Sequence, residues 1–160
     1  MYDADRIQLA QLSQRFQSGA KWFYWIAALT FITSVIGLLG GGWRFFLSLG
    51  VTQIIDGIAT GLSADFGNAT KVIAIVLDIF VTAIFAGFGL LASKRQLWAY
   101  VLGMVVFLLD GLLSLAFFDV IGIIVHGFVL FVMFRGFQAG RELAALKRTM
   151  AQAAAAQAVI

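Results

Sequence analysis

Cysteine and proline are both absent from this 160-residue chain, histidine occurs once, and only 12% of the residues are charged. Without cysteine there is no disulfide framework, thiolate metal site, haem-attachment motif or thiol nucleophile. Without proline, the commonest cause of a sharp kink in a long helix is missing. A soluble domain carries about 25% charged and about 45–50% apolar residues. The 62% hydrophobic content found here excludes water as the main solvent.

What is present is apolar sequence in blocks. Residues 22 to 138 hold five stretches dense in Leu, Ile, Val, Phe and Ala, joined by short links that carry most of the charge. A membrane helix needs about 20 such residues, so the expected fold is an all-α membrane protein, a bundle of five transmembrane helices. Residues 1–20 are polar, with Leu9, Leu12 and Phe16 three and four apart, which predicts a short amphipathic helix lying in the interface. The transmembrane bundle is expected over residues 21–140. Its first segment opens on Lys21 and the aromatic cluster Trp22, Phe23, Tyr24 and Trp25, and closes at Gly40, Gly41 and Gly42. The apolar stretch from Trp22 to Leu39 exceeds the roughly 7–15 residues of a signal-peptide core, so it reads as a membrane helix.

The second segment is expected at 43–63, the third at 71–93, the fourth at 97–118 and the fifth at 119–138, with Asp119 as its N-cap. Residues 141–160 form an Ala-rich, helix-prone tail expected to project into water. Phe31, Thr33 and Gly40 match Phe80, Thr82 and Gly89, and Asp56, Gly57 and Asp65 match Asp110, Gly111 and Asp119. This pattern suggests a tandem repeat of 21–67 and 71–122, of the parallel kind related by an axis along the membrane normal.

Two topologies compete. With five crossings, Arg6, Arg15, Lys21 and Lys71 face Arg44, Lys94, Arg95, Arg135, Arg141, Lys147 and Arg148 across the membrane. In the alternative, four crossings plus one re-entrant segment at 43–63, only Arg44 and Lys71 stand apart from the other nine basic residues. Charge asymmetry favours the re-entrant form. The length of the segment, its continuous polar stripe and the repeat favour five crossings, which is the form expected. Positive charge places the C-terminus on the cytoplasmic side, in a membrane of the bacterial inner (plasma) type.

The candidate site is a set of ionisable residues in the apolar blocks. By helical rise, Asp56, Asp78, Asp110 and His126 fall roughly 10–12 Å below one membrane face on four different helices. An Asp at the centre of a membrane helix costs about 2.5–3.5 kcal/mol on insertion. Inward-facing positions are therefore expected, where Thr52, Thr60, Thr82 and Ser114 on the same faces supply hydroxyl partners and Asp56 meets Asp110. Such groups would titrate as a coupled unit and could bind a proton, a cation or a small polar ligand. Polar residues in membranes also simply stitch helices together. His126 with the three aspartates would offer a three-oxygen, one-nitrogen set to a divalent ion.

Gly61, Leu62, Ser63 and Ala64 resemble in part the Gly-x-Ser-Gly of rhomboid proteases, but Ser63 sits about 10 Å shallower than His126 by helical rise, beyond reach of a nucleophile–base pair. No catalytic motif stands out, so no enzyme and no cofactor are expected. The basic residues are spread along the chain, which argues against nucleic acid. The functional expectation is a non-enzymatic accessory or assembly subunit of a larger membrane complex or homo-oligomer, its partners being the lipid bilayer and other membrane subunits or itself. The alternative is a proton- or cation-coupled channel or transporter built on the Asp/His cluster.

Overall fold

The structure, a computed structural model, describes residues 3–38, 49–66, 68–116 and 118–158. These contain five helices and no strand: α1 (Asp3–Leu38), α2 (Gly50–Phe66), α3 (Asn68–Ser93), α4 (Leu97–Ala116) and α5 (Val120–Gln157). Four of them, α1, α3, α4 and α5, are long and apolar enough to cross a membrane. The fifth, α2, has 17 residues, a length of about 25 Å.

Cross-helix contacts fix the directions. Arg95 in the α3–α4 turn reaches Ser13 near the start of α1 at 3.0 Å, and the ring of Phe16 lies 5.4 Å from that of Tyr100, one turn into α4. Further along α1, Phe23 meets Phe88 on α3, and Ser34 reaches Asp78 at 2.8 Å. As α1 advances, its partners on α3 step backwards. The helices α1 and α4 are therefore parallel, and α3 and α5 run against them. The end holding Lys94, Arg95 and Gln96 is the charged end of the bundle, and α1 starts there and runs to the far end.

This geometry departs from the sequence expectation in three places. Residues 3–20 are not a separate helix: α1 is continuous for 36 residues, about 54 Å, nearly twice the hydrocarbon thickness of about 30 Å. Its Leu12 is buried against Ala139 and Leu143 of α5, flanked by Leu9 and Leu146. The periodic Leu9, Leu12 and Phe16 thus pack on protein, and they do so because α5 also runs unbroken, for 38 residues, past the expected end of the fifth segment at 138. The repeat has no counterpart in the helix directions, since α1 and α3 run oppositely where a membrane-normal axis would make them parallel. Finally, α1 ends and α3 begins at the same, far end of the bundle.

Both described turns end their helix in the same way. The amide of Arg95 donates to Ala92 O and that of Gln96 to Leu91 O, a Schellman closure with Arg95 in the left-handed region at φ 65. At the other end the Phe118 amide donates to Leu115 O and that of Asp119 to Ser114 O, with Phe118 at φ 54. Glycine is the usual residue at this position. Asp119 then accepts from the Gly122 amide at 3.0 Å and caps α5, as its place in the sequence predicts.

The core is an aromatic stack at the level where α1, α3, α4 and α5 meet. Tyr100, fully buried, lies edge-on to Phe23, and its hydroxyl donates to the Met133 carbonyl at 3.0 Å. That hydroxyl sits where α1 and α5 cross at Gly19 and Gly136: a methyl built on Gly136 would stand 2.9 Å from the Gly19 Cα and overlap the Tyr100 hydroxyl. Small residues at such a crossing let backbones approach closely.

Candidate functional site

Two buried polar centres lie toward the far end of the bundle. The first is built on Asp110, which α4 carries about 20 Å along its axis from Leu97. Its Oδ2 accepts from the Gly50 amide at 2.8 Å and its Oδ1 from the Val51 amide at 2.9 Å. These amides open α2, where the first turn has no intrahelical acceptors. A carboxyl group from α4 thus does the work of an N-cap for a neighbouring helix, where the positive end of the helix dipole also favours it.

His126, on α5, closes this centre. The Gly122 carbonyl oxygen can only accept, so the ring Nδ1 at 2.7 Å donates to it. The contact between Nε2 and Asp110 Oδ2 at 2.9 Å then requires a second proton, on the ring or on the carboxyl. In either placement the pair carries no net charge, which makes its burial among apolar helices tolerable. The ring stacks on Phe107 at 4.6 Å. Gly111 makes room for it, since a methyl there would lie 3.2 Å from the His126 Cβ.

The second centre joins α1 and α3. Asp78 is 2% exposed and its Oδ2 lies 2.8 Å from the Ser34 hydroxyl. Ser34 is also 3.1 Å from the Thr30 carbonyl, so its single proton faces two acceptors. Among the described residues, the buried side-chain atoms with no hydrogen-bond partner are Asp78 Oδ1 and Thr82 Oγ1, one turn apart on α3 and hence on one face. Such orphaned atoms in a bundle interior call for a bound proton, water or cation.

The eight residues singled out from sequence therefore separate. Asp110 and His126 come together, Asp78 and Thr82 form part of a second centre, and Asp56 is exposed on α2. Asp56 and Asp110 do not face one another across the interior: Asp110 turns inward to the first turn of α2, and Asp56 is exposed on α2. Thr52 is buried and donates to Leu49 O at 2.8 Å, while Thr60 is exposed and donates to Asp56 O. Ser114 is buried beside Gly122. Among the described residues no three His, Cys, Asp or Glu side chains converge to hold a metal, so the divalent set is not formed there. The side chain of Ser63 lies outside the described residues.

Sequence reasoning missed Ser34 and Thr30. The signal was legible: Thr30, Thr33 and Ser34 stand three and four apart in an apolar segment, on one helical face. The amides of Gly50 and Val51 left no trace in side-chain identity. Comparison with protein-family models, with curated proteins and with solved structures finds no match to this chain.

Proposed function

We propose that this chain is a multi-pass membrane protein that crosses the bilayer four times, with α2 entering and leaving at the far face, and that it works as a non-enzymatic accessory or assembly subunit of a larger membrane complex or homo-oligomer. Helix directions support the four crossings, because α1 ends where α3 begins. The charge pattern agrees, with nine of eleven basic residues gathered at the charged end. The positive-inside rule makes that end cytoplasmic, in a membrane of the bacterial inner type.

The observation that carries the assembly reading is the outward face of α2. Gln53, Asp56, Gly57, Thr60 and Gly61 are all exposed and stand at the three- and four-residue spacing of a single stripe. Nothing lies within 4 Å of a methyl built on Gly57 or Gly61. Ile58 and Leu62, beside the stripe, are exposed too. A second protein surface buries an exposed polar stripe better than acyl chains do, and the paired glycines admit a helix at close range. Gly57→Leu is expected to lower the mass of the detergent-solubilised particle by light scattering, and to release co-purifying subunits seen by mass spectrometry, while helicity is unchanged. A wild-type protein that purifies as a lone monomer without partners would end this reading.

One observation favours the proton- or cation-coupled channel as a second reading: the orphaned Asp78 Oδ1 and Thr82 Oγ1 beside Ser34. On that reading Asp78→Asn abolishes pH-dependent cation or proton flux in liposomes while the circular dichroism spectrum is retained. Liposomes holding the wild-type protein that are no leakier than empty ones would eliminate it.

A further inference from the structure

At the charged end, between α1, the α3–α4 turn and the start of the protruding part of α5, lies a groove of about 110 Å³ lined by Phe16, Leu97, Gly140, Leu143, Ala144, Arg95 and Lys147. Its walls are apolar and its two charged residues are both cations. Gly140, Leu143, Ala144 and Lys147 are one face of α5 by their spacing. Glu142, the acidic residue of that stretch, is two positions from Gly140 and so points elsewhere. The groove sits where the chain meets the headgroup layer: Leu97 opens a membrane-length helix, and its neighbour Trp98 is exposed, as aromatic rings at an interface are.

Arg95 adds an independent observation. It occupies the left-handed closing position of α3 at φ 65, where a side chain is strained and glycine would be at ease. The guanidinium is held by the Ser13 hydroxyl at 3.0 Å, which aims it across α1 at the rim of the groove.

We infer that this groove binds an anionic glycerophospholipid of the charged-end leaflet, its phosphate between Arg95 and Lys147 and the upper part of an acyl chain against Leu97 and Ala144. Charge complementarity selects the occupant: an apolar slot rimmed by cations alone, at headgroup depth, suits a lipid that is anionic at one end and hydrocarbon at the other. A guanidinium also matches a phosphate through paired hydrogen bonds. The site is separate from the α2 face, and it stands whether or not the chain assembles.

The test is native mass spectrometry of the intact protein titrated in mixed micelles with phosphatidylglycerol or with phosphatidylcholine. The wild type should retain phosphatidylglycerol preferentially. Arg95→Gly and Lys147→Gln should each lower that retention about fivefold, the loss of one surface cation's attraction, and leave phosphatidylcholine unchanged. Arg95→Gly is the informative variant, since it relieves the backbone and should unfold at the same or a higher denaturant concentration. Equal retention of the two lipids, unchanged phosphatidylglycerol retention in both variants, or displacement of the lipid by millimolar inorganic phosphate would overturn the proposal.

Discussion

Asp110→Ala is expected to destabilise the bundle by about 3–5 kcal/mol, the cost of breaking a buried charge-assisted pair by removing one partner. The substitution strips the Gly50 and Val51 amides of their acceptor and leaves His126 Nε2 facing nothing. Since α2 has no side-chain cap of its own at Leu49, its first turn should fray with it. Asp110→Asn should be milder, because an amide oxygen still accepts from one backbone N–H. Unfolding of the detergent-solubilised protein, followed by circular dichroism, measures both. His126→Leu combined with Asp110→Ala should cost less than the two single changes added together, with a coupling of about 0.5–3 kcal/mol as found for residues in one network. Additivity of the two would mean that the ring and the carboxyl are neighbours without being partners.

Gly136→Leu is expected to have the second-largest effect, because it fails on geometry alone. Even a methyl at this position meets the Gly19 backbone and the Tyr100 hydroxyl. Of these only the tyrosine could move, and it is fully buried and bonded to Met133 O. The helices α1 and α5 must separate, loosening the packing of Phe16 and Leu12 that joins their protruding halves. A cost of about 1–3 kcal/mol is typical of overpacking by one small group, and leucine should exceed the upper end. The informative pair is Gly136→Ala with and without Tyr100→Phe. Removing the hydroxyl alone should cost about 1 kcal/mol for its hydrogen bond, yet in the alanine background it should restore part of the stability, the contact with the Gly19 backbone remaining. If Tyr100→Phe is equally harmful in both backgrounds, the hydroxyl is not what fills the crossing.

The sequence made the helical character plain, and with it the presence of helices long and apolar enough to cross a membrane, because apolar blocks of about 20 residues have few other solutions. It also marked Asp119 as a cap, which it is, and put Asp110 and His126 within reach of one another, as they are. What failed was everything that depends on which way a helix runs or turns. The second apolar block is readable as a full crossing when 43–63 is taken as one span, yet α2 begins only at Gly50, where Asp110 from a distant part of the chain receives it. The equivalence of Asp56 with Asp110 rested on side-chain identity, and one lies outside while the other is buried. Leu9, Leu12 and Phe16 suit a lipid surface as well as a helix, and only the length of α5 decides between them.

Composition and periodicity alone thus settled that the chain is helical and apolar in blocks, because these follow from short-range chemistry along one helix. The tertiary structure alone decided that α1 and α4 run together against α3 and α5, that a carboxyl group on α4 starts α2, and that the stripe on α2 looks outward. Those outcomes depend on contacts between residues far apart in the chain, such as Ser34 with Asp78 or Gly50 with Asp110. A helix's own pattern tells which of its faces is polar, but not what stands opposite.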